Sequence, residues 1–318
     1  MNENNTLYIV VPCYKEQEVL PETSKRLKEK VLALRAQGKI SDKSRIMFVN
    51  DGSSDNTWPI IRQLHEQEPD LFSGVNLSRN RGHQNALLAG LLTAVNYADM
   101  IISMDADLQD DINAVDAMVD HYHEGYEVVY GVRSKRDTDT FFKRFTAEGF
   151  YKVMKALGVD IVFNHADYRL MSRRAVEGLA QFGEVNLFLR GIVPQIGYPW
   201  TTVEYERHER FAGESKYPLK KMLAFAFDGI TSFSVKPIRM VFSLGVVVFL
   251  VSLVMLLYAL VAKLTGHTSA GWTSLMGSIW LIGGIQLLSL GVVGEYVGKI
   301  YKEAKHRPRF IIESVLNK

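Results

Sequence analysis

The sequence predicts an α/β protein whose mostly parallel sheet has helices on both faces and is followed by two C-terminal transmembrane helices. Short apolar runs alternate with segments of helical spacing over the first 135 or so residues, which favours a parallel, helix-covered sheet. Two stretches, 240–262 and 264–294, contain no charged residue, and each is longer than the ~20 residues that cross a bilayer. We expect a globular domain over 1–205, a basic interface segment over 206–237, a transmembrane pair over 238–296 and a tail over 297–318.

The elements follow from local patterns. Apolar runs predict strands at 7–13, 45–50, 74–77, from Met100 towards Asp105, and at 127–133. Apolar residues at near-helical spacing predict helices at 20–38, 85–98 and 111–123, and a short strand before Ser172 turns into a helix there. A buried core hairpin is the alternative reading of the two long apolar stretches, and uninterrupted runs of this length disfavour it.

Polar side chains gather where these strands end. Asp51 follows the second strand and Asp105 and Asp107 follow the fourth. The carboxyl ends of parallel strands form the ligand-binding edge of such a sheet, and carboxylate oxygens suit Mg²⁺ or Mn²⁺. A bare DxD can also be a polar turn that solvates itself, so its neighbours must support the metal reading.

Composition limits the other classes. The net charge of +2 gives no general electrostatic case for nucleic acid, and the single Cys13 excludes an internal disulfide and a thiolate metal cage. The first strand is followed by PCYKEQE and lacks the GxGxxG of a dinucleotide site. His165 has no partners that would indicate zinc. The amino terminus lacks the basic and apolar regions of a secretory signal.

Two segments have the composition of a membrane surface. Residues 140–157 mix aromatic and aliphatic side chains with Lys and Arg, which fits an interfacial helix or an ordinary amphipathic helix packed on the sheet. Residues 206–222 place Arg207, Arg210 and several lysines, including Lys216, before an apolar stretch. A collar facing lipid headgroups is the alternative for the lysines.

Six motifs in order resemble glycosyltransferase family 2: VVPCYKEQE, VNDGSSDNT, NRGHQNALLAG, SMDADLQDD, ADYRLMS and RFAGESKY. Together with the terminal helix pair, they are most similar to the polyprenyl-phosphate glycosyltransferases, which include bactoprenol glucosyltransferases and dolichol-phosphate mannose synthase. The resemblance covers essentially the whole chain. It implies a GT-A domain that binds a nucleotide sugar through a divalent metal, Mg²⁺ or Mn²⁺, and transfers one sugar with inversion.

The resemblance also implies roles for individual residues. Asp51 and the turn with Pro12, Tyr14 and Glu16 match nucleoside-binding positions, and Gly82 belongs to the donor-binding set. Asp105, Asp107 and Gln109 match the metal and donor motif, with Asp105 and Asp107 as metal ligands. Basic positions that bind phosphates are matched by Arg133, Arg144, Arg210 and Lys216. The residues assigned to catalysis are Asp107, Asp167 and Arg210.

Some points stay open at the sequence level. Asp167 fits a base or a group that positions the sugar, because a phosphate acceptor with a second pKa near ~6 is already largely dianionic and needs no base. Glu148 stands where some relatives have serine, which leaves acceptor contacts there undecided. The QxxRW motif of processive synthases is absent. A non-catalytic, membrane-tethered sugar-nucleotide sensor is the alternative class.

The expected partners are a UDP-sugar, UDP-glucose first, and undecaprenyl or another polyprenyl phosphate. UDP-N-acetylhexosamine, a UDP-4-amino-arabinose derivative and GDP-mannose remain alternative donors. The resemblance further implies a homo-oligomer, with a downstream flippase and a periplasmic or extracellular glycosyltransferase. Basic residues flank the apolar pair on its outer sides. The positive-inside rule therefore predicts an inner-membrane protein with both termini and the catalytic domain in the cytoplasm.

Overall fold

A mixed sheet forms the centre of the computed structural model, which describes residues 5–133, 165–185, 187–206, 236–265 and 271–317. Within these ranges the sheet has eight strands in the order β7-β5-β6-β4-β1-β2-β3-β8. The strands are β1 Leu7–Cys13, β2 Arg45–Asn50, β3 Phe72–Leu77, β4 Met100–Ser103, β5 Val128–Arg133, β6 His165–Ser172, β7 Trp200–Tyr205 and β8 Ile312–Leu316.

Helices connect most of these strands. They are α1 Leu20–Ala36, α2 Thr57–Gln67, α3 His83–Ala94, α4 Ala114–His123, α5 Arg173–Ala180 and α6 Leu189–Ile192, which continues into a 3₁₀ turn over Val193–Ile196. Two long helices follow, α7 Lys236–Leu264 and α8 Trp272–Ala304. The predicted bounds of β1 and β2 are confirmed, and so is the change from strand to helix at Ser172, whose hydroxyl caps α5 by accepting the Ala175 N–H at 3.0 Å.

The strands run mainly in one direction. β1 pairs in parallel with β2 and β4, β2 with β3, and β5 with β7. β6 is antiparallel to both β4 and β5. This reversal brings the beginning of β6 to the edge where β4 and β5 end, and so places Asp167 beside the residues that follow β4.

Helices cover both faces of the sheet, as the sequence predicts. On one face, α1, α2 and α4 bury Leu27, Ile61 and Val115 against strand residues such as Phe48. On the other face, α3, α5 and α6 pack on a second apolar cluster. A Cβ atom at Gly90 would lie 2.4 Å from Val10 Cγ1, so glycine is needed where α3 approaches β1.

The apolar region forms two helices, α7 and α8, that contact each other. Among the described residues, Leu281–Ala304 is the one stretch that is long and apolar enough to cross a membrane, and Pro237–Val248 is a shorter apolar stretch. The structure therefore supports one span by this measure, where the sequence predicts two.

The tail after α8 contains an additional strand that no sequence pattern predicted. β8 pairs antiparallel with β3, and Ile312 is opposite Leu77. The Asn76 side-chain amide donates to Glu313 Oε2 at 2.7 Å, and Tyr8 Oη donates to Asn317 Oδ1 at 3.2 Å. The end of the chain thus returns to the globular domain and completes the edge of its sheet.

Candidate active site

Three carboxylates lie at the edge where β4 ends and β6 begins. Asp105 and Asp107 leave β4, and Asp167 stands two residues before Arg169, which is paired in register with Ser103. The Ser103 hydroxyl donates to the Asp167 carbonyl and, at 3.3 Å, to the Arg169 carbonyl. The antiparallel pairing of β4 with β6 therefore brings the acidic residues together.

Asp167 is buried between two arginines. Its residue is 9% exposed, and Arg169 Nη2 donates to Oδ1 at 2.8 Å. Arg190 donates through Nε to Oδ1 at 3.2 Å and through Nη2 to Oδ2 at 3.1 Å. Burial acts to raise the pKa of Asp167, but the charges of Arg190 and Arg169 outweigh it and hold the pKa far below its usual range. This side chain remains a carboxylate.

His83 lies between Asp105 of the DxD motif and Asp167. It begins α3, and its Nε2 lies 3.5 Å from Asp105 Oδ1 and 3.7 Å from Asp167 Oδ2. The side chains of His83 and Asp105 are 38% and 39% exposed. The imidazole therefore stands at an accessible position between the DxD motif and the carboxylate that is paired with arginine.

Asp51 organises the loop before α3. It is 2% exposed, Oδ1 accepts the Arg81 N–H at 2.7 Å, and Oδ2 accepts the Gly82 N–H at 2.9 Å. Burial raises the pKa of Asp51, and these backbone donors act to lower it. Gly52 has φ +60, and a Cβ there would lie 2.4 Å from the Arg79 carbonyl carbon. Only glycine allows this close approach of the two loops.

The turn after β1 meets the same loops. Pro12 is buried within β1 and Tyr14 is exposed. The Lys15 N–H donates to Ser53 Oγ and the Glu16 N–H to Thr57 Oγ1, each at 3.0 Å. The structure thus places Tyr14, Glu16 and Asp51 on adjoining loops at the carboxyl ends of β1 and β2, whereas Pro12 lies in the last part of β1 itself.

The DxD loop fits a divalent cation that a ligand helps to coordinate. Among the described residues no group of three or more His, Cys, Asp or Glu side chains forms a complete metal site. Asp105 is accessible, and Asp107 Oδ1 accepts the Gln109 N–H at 3.2 Å. Mg²⁺ commonly takes one or two carboxylates and fills its other positions with water and phosphate oxygens. Two aspartates are consistent with that chemistry.

Buried polar side chains hold the residues that follow the DxD motif. Tyr205 at the end of β7 donates its hydroxyl to Asp110 Oδ1 at 2.6 Å. Burial and the nearby charge of Asp105 raise the pKa of Asp110 to about 6. Arg133, at the end of β5, acts to lower the pKa values of both Asp110 and Tyr205.

Replacing Asp110 with asparagine should stabilise the protein more at pH 7.5 than at pH 4.5. The folded-state pKa of Asp110 lies above the ordinary value of 3.8, so the stability it contributes is present below about pH 4 and is lost as the pH rises through about 6. The variant lacks this loss. We expect its Tm to exceed that of the wild type by about 5 °C near pH 7.5.

Thermal unfolding in detergent with chelator checks this expectation. The exposed Asp42 offers a matched control, because Asp42→Asn makes the same chemical change at the surface. If Asp110→Asn changed the Tm equally at both pH values, ionisation of the Asp110 carboxyl would not destabilise the folded protein.

Three predicted residues lie outside the described residues: Arg144, Arg210 and Lys216. Their assignments stay predictions. Two residues at the site carried no sequence signal of their own. Arg190 lies in a four-residue helix, LRGI, which is too short for a periodic pattern. His83 lies within the NRGHQNALLAG motif, but nothing in that motif shows that it faces Asp167.

Comparison with known sequences identifies the protein family that the fold and this site indicate. Residues 8–179 match Glycosyl transferase family 2, and residues 236–300 match the GtrB C-terminal hairpin. The chain belongs to glycosyltransferase family 2 and is a glycosyltransferase. The family resemblance expected from the six motifs is confirmed.

Particular relatives match over nearly the full chain. The "Uncharacterized glycosyltransferase YkoT" of Bacillus subtilis (strain 168) is 54% identical, over 96% of this chain and 91% of its own. The "Bactoprenol glucosyl transferase" of Shigella phage SfV is 39% identical, over 96% and 97%. Among solved structures, mannosyl-3-phosphoglycerate synthase from Rubrobacter xylanophilus covers 70% of this chain and 71% of its own, with 14% identity and a TM-score of 0.48.

Proposed function

We propose that this protein transfers one sugar, with inversion, from a UDP-sugar to a polyprenyl phosphate at the cytoplasmic face of the membrane. UDP-glucose is the first choice of donor and undecaprenyl phosphate the first choice of acceptor. The observation that carries the proposal is that His83 lies between Asp105 of the DxD motif and the arginine-paired Asp167 at one edge of the sheet. The full-length relatives named as bactoprenol glucosyl transferases support the lipid acceptor.

In this proposal, charge governs the reaction. An acceptor phosphate oxygen forms a bond to the anomeric carbon while the bond from that carbon to the UDP diphosphate breaks, and the electron pair leaves with UDP. Asp105 and Asp107 would hold Mg²⁺ or Mn²⁺, which neutralises charge on the diphosphate. Asp51, Gly82 and the β1 turn bind the nucleotide side of the donor.

Asp167 acts in this scheme as a fixed carboxylate and not as a base. Its pKa lies far below the usual range because Arg169 and Arg190 pair with it. The acceptor needs no deprotonation, because a phosphate monoester with a second pKa near ~6 is mostly dianionic at neutral pH. We therefore assign Asp167 to orienting the sugar and stabilising positive charge that develops at its anomeric carbon.

The acceptor side of the site includes residues outside the described ranges. Arg144, Arg210 and Lys216 are assigned here to the donor and acceptor phosphates, because arginine forks bind phosphate oxygens in pairs. We add Arg133 to this basic set, because its charge acts to lower the pKa of Asp110, which follows the DxD motif.

The apolar hairpin would anchor the enzyme with two spans, α7 and α8. Both ends of the hairpin return to one globular unit, because β7 precedes α7 along the chain and β8 follows α8 in the same sheet. Basic residues flank both ends, at Lys236 and Arg239 on one side and Lys299, Lys302, Lys305, Arg307 and Arg309 on the other. This pattern favours a cytoplasmic catalytic domain.

The orientation predicts protection from outside. A protease added to intact cells should leave the catalytic domain uncut, and the same protease should cut it in inverted membrane vesicles. Immunoblotting with tags at the two termini reads both outcomes. Cleavage of the catalytic domain in intact cells would show that the domain lies outside the cytoplasm and would contradict the proposed orientation.

The function itself is tested with the purified full chain, radiolabelled UDP-glucose and undecaprenyl phosphate. We expect the label to enter an organic-soluble lipid in a metal-dependent reaction. A panel of UDP-N-acetylhexosamine, UDP-4-amino-arabinose derivatives and GDP-mannose identifies another donor if glucose fails. Donor binding without a labelled lipid from any member of the panel would instead indicate the sugar-nucleotide sensor.

A further inference from the structure

The last turn of α8 contacts the globular domain close to the active site. Both carboxylate oxygens of Glu303 accept the Val185 N–H, at 2.8 and 2.9 Å. Arg309 donates to the Phe182 carbonyl. Phe182 and Val185 belong to the α5–α6 connection, which leaves α5 at Ala180 and enters α6 at Leu189. The last turn of α8 and the tail that follows it are therefore each bonded to this connection, through Glu303 and Arg309.

The same connection leads directly to the arginine that holds Asp167. α6 begins at Leu189, whose N–H donates to Gln84 Oε1 at 2.9 Å. The next residue is Arg190, which bonds both oxygens of Asp167. Gln84 follows His83, which faces Asp105 and Asp167. Only four residues, 186–189, lie between the Val185 backbone that Glu303 fixes and Arg190 at the site.

We propose that Glu303 is a positioning residue for the active site, which fixes the α5–α6 connection through Val185 and so sets the position of Arg190 against Asp167. The inference rests on the proposed function. It adds that the contact between α8 and the globular domain affects the geometry of the proposed sugar-binding site. A hydrogen bond from a backbone N–H to a charged carboxylate is among the stronger ones. α6 is a single turn, and helices this short are not stable by themselves, so its position depends on contacts with other parts of the chain.

The test compares Glu303→Ala with Lys302→Ala in the purified full chain. Lys302 is the neighbouring exposed residue on α8 and serves as the matched control. Glu303→Ala should lower kcat about tenfold with little change in the donor KM, because Arg190 is displaced from its productive position. Lys302→Ala should stay within about twofold of the wild type.

Two further measurements distinguish positioning from simple stabilisation. In an Arg190→Lys background, Glu303→Ala should cost less than about threefold, because the two residues act in series. Hydrogen exchange of the peptide that contains Leu189–Ile192 should be faster in Glu303→Ala and unchanged in Lys302→Ala. Glu303→Gln keeps one acceptor oxygen and provides a milder variant if the alanine protein folds poorly.

Each outcome decides the inference. Unchanged exchange at α6, or the same fold-loss of kcat in both backgrounds, would overturn it. Exchange is read without turnover, so it tests the positioning role even if the wild type transfers no sugar. Absence of transfer by the wild type would reject the proposed function, whereas a fully active Glu303→Ala protein with normal exchange would reject only the positioning role.

Discussion

Replacing Asp107 with asparagine is expected to reduce sugar transfer by about 10²-fold or more while the fold remains intact. The substitution is nearly isosteric, but it removes the charge of a carboxylate that we assign, with Asp105, to binding the metal. A diphosphate leaving group then lacks full neutralisation. The amide oxygen can still accept the Gln109 N–H, a bond that is 3.2 Å long in the wild type, so the loop should keep its shape.

Radiolabel transfer to lipid and thermal unfolding measure the two parts of this prediction. Asp111→Asn is the matched control in the same motif, because the Asp111 carboxylate accepts the Asn113 N–H at 2.9 Å and an amide oxygen can replace it. Excess chelator should abolish sugar transfer by the wild type, as the substitution is expected to do. Turnover that survives either treatment would contradict the metal assignment.

Replacing Arg190 with alanine is expected to have a similarly large effect, about 10²-fold on kcat. The change removes both of its bonds to Asp167 and leaves Arg169 as the remaining arginine partner described for that carboxylate. Removing one partner of a buried ion pair leaves charge that is poorly compensated. The carboxylate of Asp167, which we assign to the sugar, then loses its fixed position.

The pH profile gives this prediction a distinctive signature. The charge of Arg190 holds the pKa of Asp167 down against the effect of burial, so the variant should have a higher pKa at this group. Its activity should therefore fall at a higher pH than that of the wild type when the medium is acidified. Arg174→Ala, which removes an exposed arginine paired with Glu127, is the control.

A uniform loss of activity at every pH in Arg190→Ala would argue against this electrostatic role. Arg190→Lys should recover part of the rate, since it restores charge but not the planar fork that bonds both oxygens.

The sequence was sufficient where local patterns determine the structure. β1 and β2 are continuous apolar runs that end at polar turns, and their bounds are confirmed. The carboxyl-edge rule placed Asp51, Asp105 and Asp107 together, because it depends only on strand direction. The sequence order also favours a place for Asp167 near these strand ends, but its role came from the family resemblance, and the antiparallel direction of its strand β6 was not predicted.

Other features depend on contacts between distant parts of the chain. Arg190 is 23 residues from Asp167 in the sequence. It lies in a four-residue helix, which is too short to show the periodic pattern that would predict a helix there. β8 is a short strand whose residues alternate between half-buried and exposed, and its position after a long apolar helix suggested a tail. Its partner, β3, is more than 230 residues away, so only tertiary pairing could show it.

The returning strand has a practical meaning for anyone who shortens this protein. A chain cut before α7 would lose β8 together with the helices, and β3 would become an edge strand with unpaired N–H and C=O groups. Such open edges promote self-association by adding strands from other copies. Poor solubility of that fragment would then reflect a missing strand and not an intrinsic need for lipid. Joining residues 305–317 to the globular domain through a flexible linker should pair β3 with β8 again and make the fragment more soluble.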